Sequence, residues 1–462
     1  MQPEGRTFFQ RAESKTMFVP LRLTPFEEYM LLDNQPAYPM NCFFMLKLQG
    51  QFDLAVFTSA LHKTLEYHPF LTCLVTENNG HFHWQNTETM PVVIRQPLKA
   101  ERPFPASKGI DLFHEPALKC TVCNENTDPA QTQLGGNTNI IFEFHHAACD
   151  AAGAARFIED VLCGYMRQRC FADVQREPVK PDLLTHRGVF GGNWSYILQN
   201  LPKQLWGLTR AWMFLVNRVA PLVSKKPVDV PKLSAGYPAI VAHTLTVADT
   251  QTVRQKAEEL GITINDLFLG LTFLAMKNWQ RQYATEIKSG NLRIAVPINL
   301  RTPADVLMPA SNIVSMVFLD RKPKTIQAAQ SFYRGIHNEM QHIKRCNLGW
   351  AFIHGLTLYR RVFGSFRKMM KPNRCWTTAT VTNLGRVFAD LTLPVREGRI
   401  QMDDSLELAG VETSPPIRSL TAIGVSVLTY AGSMTINLHY DSALLTRSDA
   451  QVILDGIAKN CR

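Results

Sequence analysis

The stretch Asn139-Ile140-Ile141-Phe142-Glu143-Phe144-His145-His146-Ala147-Ala148-Cys149-Asp150 decides how this chain is read. Ile140, Ile141, Phe142 and Phe144 make a short apolar run that predicts a largely buried strand. The two histidines stand at its end. Asp150 is a natural N-cap for the alanine-rich segment that follows, which continues through Phe157, Val161, Leu162 and Tyr165 at helical spacing. The quoted residues therefore lie at a strand–loop–helix junction, where side chains reach into a crevice while the backbone stays anchored. Neighbouring strand residues point to opposite faces, so only one histidine can face a given crevice. Histidine is the usual side chain for taking a proton near neutral pH. By themselves, two histidines and an aspartate also suit core histidines bonded to backbone, or two ligands of a metal site. A third or fourth metal ligand is not obvious nearby.

Upstream, Leu23-Thr24-Pro25-Phe26-Glu27-Glu28-Tyr29 predicts a turn and a short helix, with Thr24 as cap and Pro25 at the first helical position. Cys42 to Leu48 reads as a strand. Asp53 to His68 reads as a helix stopped by Pro69. Asn78-Asn79-Gly80 is a hairpin turn between two short strands. Cys120 and Cys123 form a CxxC spacing inside an apolar strand, with no second ligand pair to complete a zinc site. Two buried or half-buried reduced thiols are expected there.

Downstream, residues 173–195 are rich in Pro, Gly and charge and mark a lobe boundary. Leu198 to Val223, with Trp206, Trp212 and Phe214, suits an amphipathic helix packed between lobes or lying on a membrane. Beyond it strands and helices mix again, without strict alternation, so a doubly wound parallel sheet is not favoured. The resulting division is 20–185, 186–237 as linker, and 238–462.

The chain has 462 residues, too many for one ordinary core. Hydrophobic residues make up 45% and charged residues 19%, which argues against disorder. A net charge of +10 favours anionic partners. No long Lys/Arg block and no nucleic-acid module stands out, so nucleic acid is not an expected partner. The polar N-terminus and scattered cysteines lead to a cytoplasmic expectation, with peripheral membrane contact left open.

The histidine segment resembles the HHxxxDG signature of the condensation-domain and chloramphenicol-acetyltransferase-like superfamily. Further short segments resemble it in order: Leu23-Thr24-Pro25, Asn265-Asp266-Leu267-Phe268-Leu269, Val296-Pro297-Ile298-Asn299-Leu300-Arg301, Ser311-Asn312-Ile313-Val314-Ser315, and the turn Thr382-Asn383-Leu384-Gly385. They span roughly residues 20–455, closest to the wax-ester-synthase-like, alcohol acetyltransferase and polyketide-associated branches. The resemblance implies two α/β lobes with mixed sheets and a tunnel between them. A second-lobe segment, around residues 375–410, would cross to the first lobe.

It also implies an acyltransferase that takes an acyl group from acyl-CoA or a phosphopantetheine carrier to an alcohol or amine, with no bound cofactor or metal. His146 would be the general base and His145 structural. Asp150 would pair with an arginine, Arg301 or Arg293. Asn383, Thr382 and Asn299 are candidates to touch substrate or the oxyanion, beside backbone N–H groups after the motif. Their other reading is turn and strand-end hydrogen bonding. Cys149 is expected to be filler. The glycine of the signature is Ala151 here, with Gly153 two positions on, a departure bearing on channel width. A non-catalytic binding or scaffolding member of the same fold, at a membrane surface or not, is the alternative.

Overall fold

Apolar strands that are buried on both faces build two mixed sheets in this chain. The computed structural model describes residues 20–461, apart from 100–102, 129, 170–173, 175, 189–212, 215, 224–233, 235, 285–288, 368, 371–373, 390 and 392. Most of the tryptophan-bearing segment, with Trp206 and Trp212, lies outside the described residues.

The first sheet has seven described strands in the order Val395–Arg396, Arg399–Asp403, Leu406–Ser414, Asn41–Gly50, Asn137–His145, Leu118–Asn124 and Val93–Pro97. Along Asn41–Gly50 the even positions Cys42, Phe44, Leu46 and Leu48 pack with helices Leu54–Leu65 and Ala151–Arg169. Phe43 and Met45 pack on the other side with Phe104 and Tyr237. Coverage of both faces explains why this strand reads as one continuous apolar run.

The second sheet has six described strands: Ile240–Thr244, Ser433–Tyr440, Ile423–Tyr430, Ala379–Arg386, Leu292–Asn299 and Val314–Arg321. Its helix-covered face carries Ile294, Val296, Val317, Leu319, Ala379 and Val381 against helices Val247–Leu260, Ile264–Tyr283, Gln330–Arg345 and Arg447–Cys461. The alternate residues face the first lobe. The Ala379–Arg386 strand runs parallel to both its neighbours, and the other pairings of this sheet are antiparallel.

The boundary at 238–462 does not follow the sheets. Residues 395–414 are hydrogen-bonded into the first sheet, with Leu406–Ser414 antiparallel to Asn41–Gly50. Residues 379–386 stay in the second sheet. Thr382-Asn383-Leu384-Gly385 is also not a free turn. It belongs to a strand whose register slips between Asn383 and Gly385, with Gly385 at φ +66°, a conformation that suits glycine.

The first helix, Pro25–Asp33, has a full capping box: Thr24 accepts from the Glu27 amide and Glu27 accepts from the Thr24 amide. Ion pairs then tie the halves together, Arg360 to Glu28 and Arg418 to Asp33. No single described helix is long and apolar enough to cross a membrane.

Candidate active site

His145 closes the strand Asn137–His145, opposite Asn41, and His146 opens the turn beyond it. The His146 amide donates to the Met40 carbonyl at 2.7 Å, which fixes the turn on the neighbouring strand. His145 is fully buried. Its Nδ1 accepts from the Ala147 amide at 3.1 Å, so its proton sits on Nε2. Burial and the neighbouring His146 push its pKa down to about 3.

His146 is half-buried and lines a cavity of about 380 Å³ between the two sheets. Its Nδ1 is buried and has no hydrogen-bond partner. Burial holds the pKa below its usual value; its own backbone and the Asp150 charge oppose that without reversing it. The ring is neutral at neutral pH. The same His146 carbonyl accepts from Asn312 Nδ2 at 2.7 Å. Asn312 comes from the second half of the chain, just before the strand Val314–Arg321.

Asp150 holds the two halves together. Its Oδ1 accepts from the Gly153 amide at 2.9 Å, capping the helix Ala151–Arg169. Its Oδ2 accepts from Arg301 Nη1 at 2.7 Å and from the Ile313 amide at 2.8 Å. Burial would raise this carboxyl, but the Arg301 charge and these hydrogen bonds outweigh it and hold it below the usual range. The partner is thus Arg301. Arg293 is committed to Asp320 through Nε and Nη2. Ser311 completes the joint by accepting from the Asp150 amide and from Arg301 Nη2. A Cβ on Gly153 would come within 2.8 Å of the Ser311 carbonyl oxygen. Gly153 is therefore the glycine that lets this helix approach the second lobe, whereas Ala151 lines the cavity with its methyl.

The cavity wall brings together His146, Asp150, Asn299, Arg301, Thr382 and Asn383. Asn299 Oδ1 accepts from the Arg301 amide at 3.0 Å, so this side chain supports the arginine turn. Asn383 Oδ1 accepts from the Gly385 amide at 2.9 Å, which stabilises the bulge and leaves Nδ2 as a donor. Three backbone amides inside the motif are already used. The Ala147, Ala148 and Asp150 amides bond to His145 Nδ1, the His145 carbonyl and the Ser311 carbonyl. The side-chain donors at this wall include Asn383 and Thr382.

Cys149 is buried and its thiol is pushed well up by burial, which keeps it protonated. Cys120 and Cys123 are buried free thiols. Among the described residues no group of three or more His, Cys, Asp or Glu is placed to hold a metal. Asn312, Ser311 and Met40 were not singled out for a role by residue type. The signal was available in Ser311-Asn312, two polar residues heading an apolar strand.

No protein-family model and no curated protein sequence matches the chain. Solved structures do. A trichothecene 15-O-acetyltransferase from Fusarium sporotrichioides superposes with a TM-score of 0.66 at 12% identity, over 96% of this chain and 94% of that one. The starter condensation domain of rhizomide synthetase, crystallised as a double mutant with C8-CoA and Leu-SNAC, gives 0.64 at 12%, over 96% and 93%. An epimerization domain of tyrocidine synthetase B gives 0.64 at 13%, over 96% and 97%. The chain has the condensation-domain and chloramphenicol-acetyltransferase-like fold over nearly its whole length.

Proposed function

We propose that this protein is an acyltransferase that moves an acyl group from a thioester, on CoA or a phosphopantetheine arm, to a hydroxyl or amine. The observation that carries the reading is His146. Its imidazole is neutral and borders a cavity made by both sheets. The acetyltransferase and the acyl-CoA-bound condensation domain among the similar structures support the same reaction class. The net charge of +10 suits a phosphate-bearing donor.

His146 Nε2 takes the acceptor's proton as the acceptor oxygen or nitrogen attacks the thioester carbonyl. The carbonyl electrons move to oxygen, and the oxyanion accepts hydrogen bonds from Asn383 Nδ2 and the Thr382 hydroxyl. The oxyanion collapses, the C–S bond breaks, and the thiolate takes the proton back from Nε2. No acyl-enzyme is needed, in keeping with the buried, protonated Cys149.

The test is release of free thiol from a panel of acyl-CoAs with alcohols or amines, comparing wild type with His146→Ala. Release by wild type and its loss in the variant supports the proposal. Equal release by both rejects His146 as the base, and none by wild type favours a non-catalytic binding protein.

A further inference from the structure

The face of the second sheet turned toward the first lobe does not end at the histidine cavity. Successive outward residues on its strands are Asn299, Pro297 and Ala295; Val314, Met316 and Phe318; and Thr382 and Thr380. Those nearest Asp150 and Arg301 line the cavity already described. Ala295, Met316, Phe318 and Thr380 line a second hollow of about 110 Å³. The two share Met316, Thr380 and Arg418 as common walls. From Asn299 to Ala295 is four strand residues, or about 13 Å at the usual rise per residue.

The second hollow is an aromatic box. Phe214 and Phe318 lie 4.5 Å apart between ring centroids, Phe214 stacks on Trp376 at 5.4 Å, and Phe352 meets Phe318 edge-on at 5.6 Å. Two cations at its margin are held by carboxylates, and a third, Arg374, lies 4.0 Å over the Trp376 ring. Arg418 Nη2 bonds to Asp33 at 2.7 Å, and Arg293, lying over Phe214, is held by Asp320. Met316, Met369 and Met370 complete walls that can adapt to an occupant's shape. An empty apolar hollow forgoes dispersion contacts that a packed core would make. Lined this way, it rewards hydrocarbon.

We infer that this hollow binds the hydrocarbon part of a substrate whose reacting end lies at His146. The inference rests on the proposed reading of the site and narrows it to substrates with an extended apolar portion. That portion belongs to the acyl chain of the donor or to the carbon skeleton of the acceptor.

Binding can be read without turnover. Thermal shifts of the full chain are measured with straight-chain alcohols from ethanol to decanol, and separately with acyl-CoAs from acetyl to decanoyl. Wild type, Ala295→Leu, which fills the hollow, and Phe318→Leu, which enlarges it, are compared. In wild type the apparent affinity rises roughly fourfold per methylene up to a limiting length. Ala295→Leu shortens that limit and Phe318→Leu extends it. A change confined to the alcohol series assigns the hollow to the acceptor, and one confined to the CoA series assigns it to the donor. The same length dependence in all three proteins overturns the inference. If Ala295→Leu does not fold, Phe318→Leu alone decides. A length limit that moves in a protein releasing no thiol keeps the hollow and removes the acyltransferase. Thiol release with an unmoved limit does the reverse.

Discussion

His145 and His146 are adjacent in the chain and have opposite surroundings. His145 ends a strand and points into packed protein, where its Nδ1 serves the Ala147 amide and its pKa falls to about 3. His146 begins the turn and borders a cavity, with Nδ1 buried and without a hydrogen-bond partner. Burial lowers both pKa values, so neutrality does not separate them. What separates them is that a backbone amide occupies Nδ1 of His145 inside packed protein, whereas His146 borders a cavity. An imidazole becomes a usable base when local geometry leaves one lone pair facing a substrate-sized void.

Four experiments sharpen that contrast. The largest effect is expected from His146→Ala, which should lower kcat/KM about 10²–10⁴-fold in a thiol-release assay. His145→Asn should fall far less. Similar losses in both would erase the division of labour. Next, Asp150→Ala leaves Arg301 without its partner and should cost about 3–5 kcal/mol of stability by denaturant titration. The Asp150 carboxyl is held below its ordinary pKa. Its contribution is therefore full above the unfolded value near 3.9 and is lost as pH falls through the lower folded value. Asp150→Asn should flatten that acid limb.

A smaller change is expected from Asn312→Ala, which removes the donor to the His146 carbonyl. A loss of about 1 kcal/mol predicts a several-fold drop in kcat with KM and Tm nearly unchanged. A change in KM alone would make Asn312 a substrate contact instead. The smallest effect concerns pH. Activity should rise as pH climbs through the His146 pKa and be half-maximal below about 6.5, since only the deprotonated ring accepts a proton. His145 affects stability with its own sign. The unfolded chain protonates it below about 6.5, while the folded chain resists until about 3. Stability is therefore lost as pH falls through that window, and His145→Asn should reduce the slope.

Much of the site was legible because its parts are local. The apolar run to Phe144, the cap at Asp150 and the helix beyond depend on neighbours within a few residues, and propensity and spacing report on those. The Thr24 cap and the Asn78-Asn79-Gly80 hairpin were readable for the same reason. Residues 379–414 were legible only through the resemblance, which sent 375–410 across to the first lobe; 395–414 cross and 379–386 do not. Thr382, Asn383 and Gly385 carry turn chemistry, yet they lie in a strand because two parallel neighbours supply its hydrogen bonds and a bulge absorbs the glycine. The short strands at 395–403 pair beside Leu406–Ser414 at the edge of a sheet whose remaining strands lie far earlier in the chain. Their pattern is weak because edge strands bury less.

The sequence by itself determined that a histidine pair ends a buried strand, that an aspartate starts the next helix, and that two α/β lobes are needed for so many apolar residues. Tertiary structure alone decided that Asp150 meets Arg301 while Arg293 meets Asp320, that Asn312 braces the His146 carbonyl, and that a second aromatic hollow opens beside the first. Each of those depends on segments tens to hundreds of residues apart arriving within 3 Å or sharing a wall. Local propensities carry no information about such meetings, which the packing of the two sheets alone fixes.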